Sequence, residues 1–363
     1  MSLDRGKWAT GGPETVAPGV HRIPLPLPND GLRAINVYLL EEPEGLVLID
    51  AGWSIPESLT VLEASLVELG HRLDDLTDVY VTHIHRDHYT QAVELRRRFG
   101  TRVHLGAGER PGLELLAALR TDVPVTSLEV LRRGGAPDLA SRMAEGYGEF
   151  DASGWEPPDR WLDAGTVPLR HPLRVVPTPG HTRGHVVYLD AARGLLFSGD
   201  HVLPHITPSI GFELGEPGLP LGDYLDSLRL MTTFPDTRLL PAHGPVAAST
   251  HARAEELLDH HDKRLAETED ALGAGARTGY AVAERLTWTR RAIAFDDLND
   301  FNRMLAVNET VAHLDVLAAR GRATVSEVEG VARYALTGQV SEQAPKKPAT
   351  AWNDSLGSHG RSG

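Results

Sequence analysis

The sequence predicts an α/β protein, an αββα sandwich with two sheets inside and helices outside, and three observations carry that reading. Apolar runs of strand length occur at 46–50, 78–82, 174–177, 186–189, 195–198 and 237–241. Helix-period stretches at 57–69 and 91–99 alternate with them. Histidine and aspartate cluster directly after four of the runs, which puts the chemistry at strand ends.

The first run closes on Leu48-Ile49-Asp50-Ala51-Gly52, where Asp50 is either turn chemistry or a polar support for neighbouring side chains. The second leads into Thr82-His83-Ile84-His85-Arg86-Asp87-His88, with three imidazoles and a carboxylate inside six residues. In an extended segment alternate side chains share a face. That places His83, His85 and Asp87 together and lets a turn at Asp87-His88 aim the last imidazole elsewhere, which is half of a two-metal site. Arg96-Arg97-Arg98 reads as the solvated face of the following helix.

About ninety residues separate His88 from His181, more than one connection needs. The leucines at 113, 115, 116, 119, 128 and 131 give this stretch a helical pattern, so 107–160 is expected to be an inserted helical lid. Its apolar content points to an apolar part in the substrate, or simply to packing of the lid on the body. Three further segments then deliver polar side chains past apolar runs: Pro179-Gly180-His181, Ser198-Gly199-Asp200 and Pro241-Ala242-His243. The two carboxylate oxygens of Asp200 suit it to bridge a pair of ions.

After His243 the pattern is helical at 251–272, 281–286 and 297–319, with Gly321 as a stop and a hairpin pattern around Glu329-Gly330. Helices followed by a hairpin resemble a winged-helix module. The expected organisation is a catalytic unit over 1–250 carrying the lid, a winged-helix-like unit over 251–337, and a disordered tail over 338–363 rich in Ser, Gln, Pro, Lys and Gly.

Composition narrows the chemistry. The chain has 363 residues and no cysteine, so metal ligands must be nitrogen and oxygen donors. The net charge of -14 argues against a phosphate-rich partner. Residues 251–337 hold 11 Lys plus Arg against 15 Asp plus Glu, which favours a structural or dimerising role over nucleic-acid binding for that unit. The first residues lack the apolar stretch of a secretory signal and no segment approaches the ~20 apolar residues of a membrane span, so the expected location is the cytoplasm.

His-x-His-x-Asp-His followed in order by Pro-Gly-His, Gly-Asp and Ala-His-Gly resembles the metallo-β-lactamase superfamily over roughly residues 20 to 250. Gly199-Asp200-His201-Val202-Leu203-Pro204 and the C-terminal pattern are similar to its lactamase-beta-2-like and glyoxalase-II-like branch. The chain departs from the commoner pattern at Tyr89-Thr90, where a glycine often follows the last motif histidine.

The resemblance implies a first ion on His83, His85 and His181, a second on Asp87, His88 and His243, Asp200 between them, and Asp50 supporting the ligands from behind. It implies two divalent ions, zinc first and iron or manganese as alternatives. The reaction it implies is hydrolysis of a thioester, ester or lactone of a small molecule by a hydroxide held between the ions, with Asp87 as the catalytic carboxylate. The alternative is a metal-dependent endoribonuclease on single-stranded RNA. Arg183, His185, His201 and His205 flank the ligand segments and are the candidate substrate contacts.

Overall fold

The computed structural model describes residues 7–28, 31–121, 124–145, 148–210, 215, 218–289 and 292–338. The tail expected over 338–363 therefore lies outside the described residues, except for Gly338.

Two sheets face each other. The first takes β1 (Glu14–Ala17), β2 (Val20–Pro26), β3 (Ala34–Glu42), β4 (Gly45–Ile49), β5 (Leu76–Val81), β6 (Arg102–Gly106) and β7 (Arg160–Leu162), in that spatial order. The second takes β8 (Gly165–Val167), β9 (Leu173–Pro177), β10 (Val186–Asp190), β11 (Leu195–Gly199) and β12 (Arg238–Pro241), ordered β12-β11-β10-β9-β8. Pairing is parallel for β4 with β5, β5 with β6, β6 with β7 and β11 with β12, and antiparallel elsewhere in these sheets.

Strands such as Val186–Asp190 and Leu195–Gly199 are buried at every residue because both faces of their sheet are covered. Tyr38, Val47 and Ile49 meet Val175, Tyr188 and Phe197 between the sheets. On the outer face of the first sheet lie α1 (Pro56–Glu68) and α2 (Arg86–Phe99), burying Leu62, Leu66, Ala92, Val93 and Leu95. This is the αββα arrangement expected from the pattern. The early hairpins β1 to β3, β6 and the short strands β7 and β8 were not among the strands read from the sequence.

The stretch expected as a lid forms α3 (Arg110–Ala118), α4 (Val125–Arg133) and α5 (Pro137–Ala144). The second sheet is covered by α6 (Pro220–Met231), and the chain beyond it forms α7 (Thr250–Gly273), α8 (Gly279–Ala283), the short pair β13 (Thr287–Trp288) and β14 (Ile293–Ala294), α9 (Asp300–Ala319), and the hairpin β15 (Ala323–Val328) with β16 (Val331–Leu336). Leu128, Leu131 and Leu139 of α4 and α5 share one apolar cluster with α6, α7, α9 and the outer face of the second sheet. Arg133 forms a two-pronged ion pair with Asp315 at 3.0 Å on each prong, and Arg142 pairs with Asp300 at 2.8 Å. Half of the insertion is thus built into the C-terminal core, while α3 and the segment up to Trp161 lie beside the histidine motif.

The arginines of α2 are also more than a solvated face. Arg96 donates to the Pro157 carbonyl at 2.7 Å and to Glu156 at 2.5 Å, and Arg97 donates to the Ser153 carbonyl at 2.7 Å. They fasten the end of the insertion to the body, because α2 runs beneath that returning segment. Among the described residues no helix is long and apolar enough to cross a membrane.

Asn36 joins the two sheets where the last motif histidine emerges. Its buried amide donates to the carbonyls of Pro241 at 2.9 Å and Gly244 at 2.8 Å, and its oxygen accepts from Arg22 at 2.9 Å. Asn36→Ala leaves buried groups without partners and is expected to cost about 3 kcal/mol. Urea unfolding should show a lower midpoint at unchanged slope, and a midpoint equal to wild type would remove Asn36 as the tie.

Candidate metal centre

All the ligand-type side chains emerge at one edge of the sandwich, from the ends of β4, β5, β9, β11 and β12. Parallel β4 and β5 deliver Asp50 and the histidine motif side by side, and parallel β11 and β12 deliver Asp200 and His243. The turn after β9 delivers His181. There Gly180 has φ +137, and a Cβ on it would lie 2.4 Å from Cα of Tyr224, so only glycine fits.

The histidine motif is not extended throughout. α2 begins at Arg86, and the backbone N–H groups of His88 and Tyr89 both donate to the His85 carbonyl at 3.0 Å. Asp87 and His88 therefore sit in the first helical turn, where a carboxylate also favours the positive end of the helix dipole. The shared-face argument holds for His83 and His85; the helix start, rather than a strand alternation or a late turn, separates Asp87 and His88 from them.

Two groups of donors result. Nε2 of His83 lies 3.0 Å from Nδ1 of His85 and 3.2 Å from Nε2 of His181, and the latter two are 3.0 Å apart. Three nitrogens on one tetrahedral ion at ~2.0–2.1 Å are roughly 3.3 Å apart, so this triangle fits such an ion. Nε2 of His243 lies 3.4 Å from Oδ2 of Asp87 and 3.3 Å from Oδ1 of Asp200, with Nε2 of His88 at 3.7 Å from each of those oxygens. The other Asp200 oxygen, Oδ2, is 3.6 Å from Nε2 of His181. One carboxylate thus faces both groups. Nε2 of His88, Nε2 of His243 and Oδ1 of Asp200 are buried without a hydrogen-bond partner, a costly arrangement that a cation among them relieves. The residues present fit a pair of divalent ions.

The far ring nitrogens are fixed. Nδ1 of His88 is 2.9 Å from Oδ2 of Asp50, Nδ1 of His181 is 2.8 Å from the Ser209 carbonyl, and Nδ1 of His243 is 2.9 Å from the Ala34 carbonyl. Each contact sets the tautomer that leaves Nε2 for a ligand role. Asp50 is held at φ +58, a strained value for aspartate, and accepts from the Thr82 backbone N–H at 2.8 Å and from the Thr82 hydroxyl at 3.0 Å. Its placement supports the second of the two sequence alternatives, a polar support.

Electrostatics separates the two groups. Burial pushes His83 and His181 below their usual range and His85 down to about 3, so all three are neutral near pH 7. Burial acts the same way on His243, but Asp200 and Asp87 outweigh it and push the imidazole up to about 10. His88 is raised by Asp50, Asp87 and Asp200 against its burial. Burial raises Asp87, and the neighbouring His88 and His243 overcome it and hold the carboxyl well below its usual range.

The four candidate substrate contacts fall into two pairs. His185 and His201 are fully buried behind the ligands. His185 lies 2.8 Å through Nδ1 from the Thr178 hydroxyl and accepts from the Asp200 backbone N–H at 3.2 Å, so it fastens two ligand loops together. The His201 ring packs against Tyr224 at 5.3 Å, with its nitrogens enclosed, and burial takes its pKa down to about 3. Neither ring is presented to an incoming molecule, because the side chains of the loops turn inward there. Arg183 and His205 are half-buried on bordering loops. The sequence reading did not single out Thr82, Asn36 or Ser209, whose roles rest on backbone and tertiary contacts.

Comparison with known proteins bears on the family and the fold. The model of the metallo-beta-lactamase superfamily matches residues 30–243. The Bacillus subtilis protein named "Probable metallo-hydrolase YqjP" is 25% identical over 335 residues, covering 86% of this chain and 95% of that one. The atrochrysone carboxyl ACP thioesterase of Emericella nidulans is 24% identical over 273 residues, covering 74% of this chain and 71% of that one. The crystal structure of a beta-lactamase domain protein from Burkholderia ambifaria superposes with a TM-score of 0.71 at 28% identity, over 92% of this chain and 99% of that one.

The protonated state of His243 predicts how a second ion competes. Its folded pKa of about 10 lies above the ordinary 6.5, so in metal-free protein the pairing with Asp87 and Asp200 contributes full stability below pH 6.5 and loses it as pH rises through about 10. A cation at that group must displace protons, whereas the neutral triangle of His83, His85 and His181 is ready to bind. Zinc titrations between pH 6 and 9 should give a first affinity nearly independent of pH and a second that strengthens by about tenfold per unit for each proton released. A second constant that is flat across this range would contradict the charge assignment.

Proposed function

The chain belongs to the metallo-beta-lactamase superfamily, and on that premise we propose that it is a metal-dependent hydrolase acting on a thioester or ester of a small molecule. The observation that carries the proposal is the pair of donor groups faced by the two oxygens of Asp200. His83, His85 and His181 would hold one ion; Asp87, His88 and His243 the other, with Asp200 shared. When bound, such ions supply Lewis acidity and lower the pKa of water toward ~7.

The side chains do the rest. Oδ2 of Asp87 lies among the imidazole nitrogens, and the second oxygen of this carboxylate would accept a hydrogen bond from the attacking water and orient it. Asp50, Ser209 and Ala34 keep the ligand imidazoles in one tautomer, so no reorganisation accompanies the reaction. His85 and Asp87 are half-buried while the other ligands are closed in, so the substrate carbonyl approaches from their side.

The substrate class is supported by the bordering surface and by one relative. Leu115 on α3 is 43% exposed and Ile206, on the loop between Asp200 and Ser209, is 41% exposed. Trp155 donates to the Ile84 carbonyl at 3.3 Å, which sets an indole against the motif. Apolar side chains of this kind favour an acyl group over a polyphosphate, as does the charge of -14. The relative named as an ACP thioesterase aligns with 74% of this chain at 24% identity.

The test is turnover of a panel of acyl thioesters, aryl esters, lactones, a penicillin and a short unstructured RNA by metal-replete protein, with Asp200→Ala as the control. Thioester or ester hydrolysis is expected first, lost in the control. RNA cleavage that disappears in the control and weakens steeply with salt would replace the substrate class. Asp87→Asn is expected to lower kcat by about 100-fold or more with an unchanged circular-dichroism spectrum. Full activity in that variant would take Asp87 out of the mechanism.

A further inference from the structure

Thr82 is a buried hydroxyl at the meeting point of both donor groups, and the proposed function assigns it no part. Its Oγ1 lies 3.0 Å from each carboxylate oxygen of Asp50, 3.1 Å from Nδ1 of His83 and 3.4 Å from Nδ1 of His88. A hydroxyl has one proton to donate and two lone pairs to accept with. If His83 offers Nε2 to an ion, its Nδ1 carries the proton, and the acceptor within reach is the Thr82 oxygen. The Thr82 proton then goes to Asp50. His88 needs no share of it, since its Nδ1 is closer to Oδ2 of Asp50, at 2.9 Å.

Donors and acceptors therefore match along one path: Asp50 receives directly from His88 of one group, and through the Thr82 hydroxyl it orients His83 of the other. The backbone of Thr82 is pinned at the same time, its N–H donating to Asp50 at 2.8 Å and its carbonyl accepting from Val186 at 2.9 Å. The space is specified from the opposite sheet. A Cβ on Gly199, which has φ +49, would lie 2.6 Å from the Thr82 oxygen, so the Gly-Asp pair that delivers Asp200 also leaves room for this hydroxyl.

We infer that Thr82 is a positioning residue that lets one carboxylate, Asp50, align one histidine of each donor group and so couples the two halves of the centre. The inference rests on the proposed two-ion reading, and its test separates the two. Thr82→Val keeps the shape and removes the hydroxyl, and Thr82→Ser keeps the hydroxyl.

Zinc binding to metal-free protein is measured by calorimetry against a competing chelator. Wild type is expected to take two ions. Thr82→Val is expected to lose about 10- to 100-fold in affinity at the His83, His85 and His181 group, the usual effect of removing a ligand's supporting hydrogen bond. The Asp87, His88 and His243 group should change less, and Thr82→Ser should restore both constants. Two wild-type constants in Thr82→Val, or equal losses at both groups that Thr82→Ser does not restore, would overturn the inference and leave the two-ion reading standing. Wild type that binds no ion would overturn both. Proton NMR of zinc-loaded wild type decides the matter even if Thr82→Val does not fold. A solvent-protected Nδ1–H resonance assigned to His83 is expected, and rapid exchange of that proton would overturn the inference.

Discussion

The constraint on which the structure depends is the burial of three carboxylates in one place. Asp50 and Asp200 are buried and Asp87 is half-buried, all within reach of the same imidazoles. Isolated buried charges cost several kcal/mol each, so such a cluster persists only if opposing charge is built in around it. Here the balance comes from His88 and His243, whose raised pKa values record it. A pair of divalent cations would take over that task. The centre is in this sense a cation site in either state, holding protons or metal.

Meeting that constraint takes both sheets. The segment after β5 supplies four donors and those after β9, β11 and β12 one each, and the loops that carry them are tied to one another through His185, Asn36 and Thr82. None of these ties lies within one segment: Asn36 reaches residues more than two hundred positions away. The cost of ordering the loops is therefore met by the sandwich core, whose strands are closed over on both faces.

The surroundings of the centre divide differently from the way the sequence suggests. Much of the stretch 107–160 has a helical pattern, and pattern alone does not distinguish a lid from a packed layer. Arg133, Arg142, Leu128 and Leu139 commit α4 and α5 to the core of α7 and α9, while Arg96 and Arg97 fasten the returning segment. What borders the site is α3, Trp155 and the loop through Ile206. α4, α5 and the C-terminal helices instead form one packed layer with α6 on the outer face of the second sheet.

Read alone, the sequence offers a candidate ligand set and its order along the chain. Buried strands are legible as apolar runs, and although one histidine or aspartate after such a run is commonly turn chemistry, the joint order of the segments resembles one family, so His83, His85, Asp87, His88, His181, Asp200 and His243 stand together as candidates before any coordinates. It also determined the nitrogen and oxygen chemistry, through the absence of cysteine. Which atoms meet follows from the packing of distant segments. The fold placed Asp87 and His88 on a helix whose N-cap, His85, makes no capping side-chain bond, so the usual start signal is missing from the sequence. Burial, a property of packing against distant strands, moved His185 and His201 from the rim to the interior. Thr82 became a junction for a similar reason: a threonine before a histidine is unremarkable in sequence, and only the parallel pairing of β4 with β5 brings its hydroxyl to Asp50.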